Sequence, residues 1–310
     1  MVNGDNAIKN VISASAPERS GEILQMWEKY NPQPNLVGDR SGFTLEAGSF
    51  GLLVFNHKTM CKIWLLGFAA QHSFNLYQPH LFLAQIIKYP FSLEHLADDV
   101  DANQINGKIT AIYNLINELV ATDSIENINW PAGVPKPDDG KPSDVFGSVV
   151  FDLLCMASAY CFLHELRHIQ YRESGETLSP VEEEFACDKY ARDFLLEKID
   201  VYAKSSGYDL ALLKNKRGMA IALASILLLV ITPESHWSGS SSHPSVVERI
   251  LELAKNISIG DNDYLWFYLS SLLLSEIKIK EIQVNPVAIT TQRDYCFVLL
   301  RAIQAHLDAG

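Results

Sequence analysis

The stretch VVFDLLCMASAYCFLHELRH, Val149–His168, carries most of what the chain says about its fold. From Val149 to Leu163 it reads as a largely apolar helix, interrupted by Asp152, that runs on into His164–His168. The closing HELRH places His164 and His168 about one helical turn apart, so both imidazoles share a face and can converge on one metal ion. Neutral imidazole is a good zinc ligand, and catalytic zinc takes three protein ligands and a water. Glu165 stands beside them, where a carboxylate can reach that water and act as general base. The bland alternative is two core or surface histidines that fall at i, i+4.

Downstream, Ser179-Pro180-Val181-Glu182 joins a capping box to proline at the first helical position, so a second helix opens there. It continues as PVEEEFACDKYA, Pro180–Ala191, with Glu184 and Asp188 one turn apart. Sixteen positions (184 − 168) separate His168 from Glu184, enough for a turn and the start of an antiparallel helix. Phe185, Ala186 and Ala191 point to partial burial, where an acid pair is costly unless a metal or partner compensates it. On the bland alternative Glu182 only caps, and Glu183 and Glu184 form a solvated charge run. Further on, SSSHPSVVERI, Ser240–Ile250, sets His243-Pro244 before another Ser-x-x-Glu helix start, Ser245 to Glu248.

HELRH, EFACD and SHPSVVERI, in this order, resemble a gluzincin zinc metallopeptidase. The resemblance implies zinc on His164, His168 and Glu184, with Glu165 as base and Asp188 bracing a ligand histidine. It also implies that His243 faces the substrate carbonyl as an oxyanion donor, with His236 the next candidate. Within the class, Phe146–Ile250 is most similar to the phage-exclusion Lit-type peptidases, which are soluble and of similar length. The membrane-embedded CAAX-prenyl-endopeptidase type shares the Glu-x-x-x-Asp and His-Pro elements, but this chain lacks its several long spans. A Lit-type resemblance implies cleavage of a host translation factor in response to phage.

Around this region the signals thin out. WPAGVPKPDDGKPSD, Trp130–Asp144, is the clearest loop, with four prolines and two glycines. It divides an N-terminal part of unassigned role (1–140) from a helical metallopeptidase core (141–310), as two domains or as one surface crossing. The first forty residues read as polar and rich in Asn, Pro and Gly. GFTLEAGSFGLLVFN, Gly42–Asn56, gives the best strand signal. Helical patterns cover Lys58–Tyr77 and Gln104–Val120, and later Met219–Ile231, Tyr264–Ile277 and Ala288–Leu307. The fold class expected is mainly α (α+β), a zincin-like core with room for one small sheet in the N-terminal part.

Composition narrows the partners. The 310 residues carry a net charge of −12 with no dense Lys/Arg cluster, which excludes a nucleic-acid footprint. Five cysteines without CxxC spacing fit reduced thiols in a cytoplasmic protein better than a disulfide framework. Cys161 and Cys187 lie near the motifs and read as inert. MVNGDNAIKN lacks a signal-peptide core. Met219–Ile231 is too short to span a bilayer comfortably and reads as a buried helix. The expected partner is a protein or peptide substrate and the expected cofactor Zn2+. The rivals are a non-catalytic zinc-stabilised binding protein and a membrane-associated zinc peptidase.

Overall fold

The computed structural model describes residues 4–40, 42–122, 125 and 128–309. In chain order come α1 (Gly4–Ser15), α2 (Ser20–Tyr30), β1 (Gln33–Val37), β2 (Leu45–Ala47), β3 (Leu52–Asn56), α3 (His57–Ile87) and α4 (Val100–Ala121). Then follow α5 (Val145–Ser174), α6 (Pro180–Leu196), α7 (Ile199–Ser206), α8 (Leu210–Ile231), α9 (Val246–Lys255), α10 (Tyr264–Ile279) and α11 (Gln292–Ala309). The architecture is mainly α with one small sheet, as the sequence led us to expect.

The long helix α5 is the central element, packing against α1, α3, α6 and α8. Asp144 starts it, its side chain accepting from Gly147 N at 2.8 Å, and Gly175 closes it at φ 70°. Leu153, Leu154, Ala157, Tyr160 and Leu163 are all buried, which suits a helix enclosed over most of its circumference. Trp64 of α3 meets Phe151 of α5 edge-on at 6.1 Å, so elements from both sides of residue 140 share one hydrophobic cluster. By length and composition α5 is also apolar enough to cross a membrane, with half of its most apolar window buried in the fold.

The sheet has the order β1-β3-β2, with β1 parallel and β2 antiparallel to β3. Strand β2 is therefore an edge, and it lies against α5. The sequence signal for this hairpin was sound, but β1 went unread. So did α1 and α2, because polar composition hid an apolar face at helical spacing. Ile8, Ile12, Ile23, Met26 and Trp27 form that face and are buried. Helix α8 begins nine residues before Met219 (219 − 210), and its early turns bury Asn215 and Arg217. The Arg217 guanidinium is matched there by Glu18, which removes the objection to burying it.

Candidate metal centre

Three helices and one loop assemble the site. Helix α5 supplies His164, Glu165 and His168, and α6 supplies Glu183, Glu184 and Asp188. Helix α9 adds Arg249, and the loop between α8 and α9 adds His243. The capping box read from sequence is present at α6, with Ser179 N donating to Glu182 Oε2 at 3.1 Å. It sets where α6 begins.

His164 Nε2 and His168 Nε2 lie 3.2 Å apart. The Glu184 carboxylate reaches both, Oε2 at 3.4 Å from His164 Nε2 and Oε1 at 3.4 Å from His168 Nε2. One donor atom from each of the three residues falls within 4.8 Å of the others, a spacing that could hold a metal ion. Each ring turns its other nitrogen to a second carboxylate. His168 Nδ1 is 2.6 Å from Glu183 Oε1, and His164 Nδ1 faces Asp188 Oδ1 at 3.0 Å. The hydrogen bond to Glu183 leaves His168 with a bare Nε2 lone pair; Asp188 lies at ion-pair distance from His164 Nδ1, outside hydrogen-bond geometry, and favours the same tautomer there. Two lone pairs and a carboxylate aimed at one point repel one another unless a cation lies between them. The donor set, two imidazoles and one carboxylate, suits zinc.

A proton competes with a cation for the same His164 lone pair. Burial opposes a charged His164, but Asp188 and Glu184 outweigh it and raise its pKa to about 9. Burial would also raise Glu184, yet the two histidines and Arg249 hold it far below the usual carboxylate range. Arg249 grips Asp188 through two bonds, Nε to Oδ2 at 2.7 Å and a terminal nitrogen to Oδ1 at 2.8 Å. Its other terminal nitrogen is 3.0 Å from Glu184 Oε2. Tyr160 donates to Asp188 Oδ1 at 3.1 Å.

Glu165 points along the helix toward the sheet, and its Oε2 accepts from the edge-strand amide of Ala47 at 2.7 Å. Burial raises its pKa, with the two histidines opposing. All these groups except Glu183 line a cleft of about 740 Å³. One wall is Phe43, Leu45 and Ala47; the other is Leu227, Leu228 and Ile231 of α8.

His243 also lines the cleft, with Nε2 3.9 Å from Glu184 Oε1 and Nδ1 2.9 Å from Ser242 Oγ. Its side chain is largely exposed. The loop that carries it is rigidly tied. Trp237 is fully buried, its Nε1 donating to Leu229 O and Thr232 O. Gly239 adopts φ 82°, and a Cβ there would lie 2.7 Å from His243 O and Ser245 N. His236 lines the same cleft.

The sequence-derived set, His164, Glu165, His168, Glu184, Asp188 and His243, is thus brought to one cleft. Sequence reasoning missed Glu183, Arg249 and Ala47. For Arg249 a signal existed: Val246, Ile250 and Leu253 form the buried stripe of α9, and Arg249 sits on it at i+3. Nothing local distinguishes Glu183 from its solvated neighbour Glu182. Cys161 and Cys187 are thiols whose pKa burial pushes up, to about 12 for Cys161, as inert cysteines require.

A His-His-Glu cluster with a second carboxylate, Glu165, beside it in an open cleft defines a candidate hydrolase site, and the comparisons with known proteins fall in the peptidase class. The chain belongs to the Peptidase U49 family, whose profile matches residues 53–269. It is also similar to the Cell death peptidase of Escherichia coli (strain K12), 23% identical over 158 residues. That match covers 51% of this chain and 50% of that protein, so the chain spans about half the length of the curated relative. Both findings support the Lit-type resemblance. No solved structure matches the chain.

Proposed function

We infer that the protein is a zinc-dependent endopeptidase of gluzincin type. The observation that carries this reading is the convergence of His164 Nε2, His168 Nε2 and the Glu184 carboxylate on one point, beside Glu165. His164, His168 and Glu184 hold the ion. Zinc, when bound, supplies the Lewis acidity that makes water a nucleophile at neutral pH. Glu165 takes the proton of the attacking water and delivers it to the leaving amine. Asp188 and Glu183 keep the two rings in the tautomer that offers Nε2, and Arg249 keeps Asp188 and Glu184 ionised. His243, held by its loop at the cleft, donates to the oxygen that becomes negative during attack.

The substrate is a polypeptide. The relative's name supports a peptidase, and the Lit-type resemblance adds cleavage of a host protein in phage defence, in the cytoplasm. Five free cysteines fit that compartment. The purified protein is expected to hold about one zinc per chain, as a mononuclear site requires. Chelation should abolish peptide cleavage, zinc should restore it, and His168→Ala should lose both metal and turnover. Full zinc occupancy in the His168→Ala protein would overturn the assignment.

A further inference from the structure

The hairpin that carries the cleft-lining strand β2 ends in a feature that the peptidase site does not use. Its turn is Ser49-Phe50-Gly51-Leu52, closed by Leu52 N donating to Ser49 O. Both central residues have positive φ, 57° at Phe50 and 73° at Gly51. That pairing belongs to type I′ hairpin turns, where Asn-Gly, Asp-Gly or Gly-Gly is favoured because a Cβ is strained at the first position. A bulky aromatic there is a conformational outlier. Three other non-glycine residues among the described ones have positive φ, namely Asn31, Lys88 and Glu281, and all three close helices, where this conformation is common.

Phe50 gains nothing inside the molecule for this strain. The residue is 93% exposed, the highest value for any large hydrophobic among the described residues. A single exposed apolar side chain needs no explanation, and a single strained turn residue is tolerated. Together they mean that the chain keeps an aromatic ring in a place where Asn would suit the backbone and the solvent better.

The position of the hairpin says what meets the ring. Leu45, Glu46 and Ala47, three to five residues before Phe50, line the cleft. Arg172 lines it too, and its guanidinium donates to both Ala47 O and Gly48 O at 2.8 Å. That clamp ties the turn to α5 at the cleft mouth, so Phe50 is presented from a fixed base. A chain leaving the cleft past Arg172 would reach the ring within about three or four residues, at roughly 3.3 Å each.

We propose that Phe50 is a docking anchor for the polypeptide substrate outside the cleft, taking an apolar side chain several residues from the cleaved bond, with Arg172 positioning the hairpin. This rests on the peptidase reading for its substrate class. The test uses zinc-loaded full-length protein carrying Glu165→Gln, which binds without cutting, and fluorescent β-casein as the extended polypeptide. Adding Phe50→Asn should weaken casein binding about tenfold and raise the melting temperature, because Asn fits the turn. Phe50→Trp should keep the affinity.

With Glu165 intact, Phe50→Asn should raise KM for casein. It should leave kcat/KM unchanged for an octapeptide copied from a casein cleavage site. Unchanged casein affinity in Phe50→Asn would overturn the proposal, as would equal losses on casein and the octapeptide. Two other results would reassign the ring and also overturn it: loss of a dimer on gel filtration, or loss of binding to phosphatidylcholine–phosphatidylglycerol vesicles. Casein bound through Phe50 but never cut would sink the peptidase reading and leave the docking role standing. No casein binding by the Phe50-containing parent would sink the docking role whatever the turnover.

Discussion

Glu165 and Glu184 are chemically the same residue with opposite surroundings, and those surroundings separate their roles. Glu184 lies against two imidazoles and Arg249 and stays ionised; Glu165 is half-buried and accepts from the Ala47 amide, with no arginine cation beside it among the described residues. Replacing Glu165 by Gln should therefore leave zinc in place and slow turnover by roughly 10²–10⁴-fold, the usual worth of a general base. Glu183→Gln and Asp188→Asn act one shell out, on the Nδ1 atoms. Each should weaken zinc binding by about 10–100-fold, as loss of a carboxylate behind a ligand histidine does. Competition with a chelator of known affinity measures this, and wild-type affinity in Glu183→Gln would return that residue to the solvated run suggested by its sequence. The histidines and Glu165 were legible because all three sit at fixed offsets on a single helix. Glu183 was not, since its role depends on the rotation of α6 against α5, which no local pattern encodes.

At the scale of elements, the capped helices were the readable ones. Ser179, Ser245 and the apolar run into His164 fixed α6, α9 and α5 to within a few residues. Helices α1 and α2 were hidden because their apolar residues are sparse and their period was masked by polar neighbours. The loop between α8 and α9 was legible only as the bearer of His243; its shape comes from Gly239 and Trp237. Gly239→Ala places a Cβ against His243 O and Ser245 N in a conformation unsuited to alanine. It should cost about 1–3 kcal/mol of stability and displace His243, with zinc content unchanged. His243→Ala should instead leave stability nearly intact and lower turnover by about 10²–10³-fold. Denaturant melts alongside zinc analysis separate the two variants. A Gly239→Ala protein with wild-type stability and turnover would mean that this glycine does not hold the loop.

Across the whole molecule, helices from both sides of the proline-rich loop after Trp130 pack together, α3 contacting α5, α8 and α10 within one cluster. That joint core contains one carboxyl with consequences for stability as a whole. Glu276 of α10 is buried, one of its oxygens has no hydrogen-bond partner, and Tyr113 of α4 bonds to the carboxyl. Burial raises its pKa to about 7, with Tyr113 and Lys280 opposing the shift. A carboxyl whose folded pKa lies above its unfolded value of 4.5 favours the fold while it is protonated. That contribution is complete below pH 4.5 and is lost as pH rises through about 7, a change of about 3 kcal/mol. Glu276→Gln keeps the shape and cannot ionise, so it should lack this loss. Urea unfolding of both proteins at pH 5 and pH 8 isolates the group, because every other titration is shared. The stability difference, variant minus wild type, should grow by roughly 2–3 kcal/mol between the two pH values. A difference that stays constant would show that Glu276 ionises without strain, and that water or a shift of α10 against α4 solvates the charge.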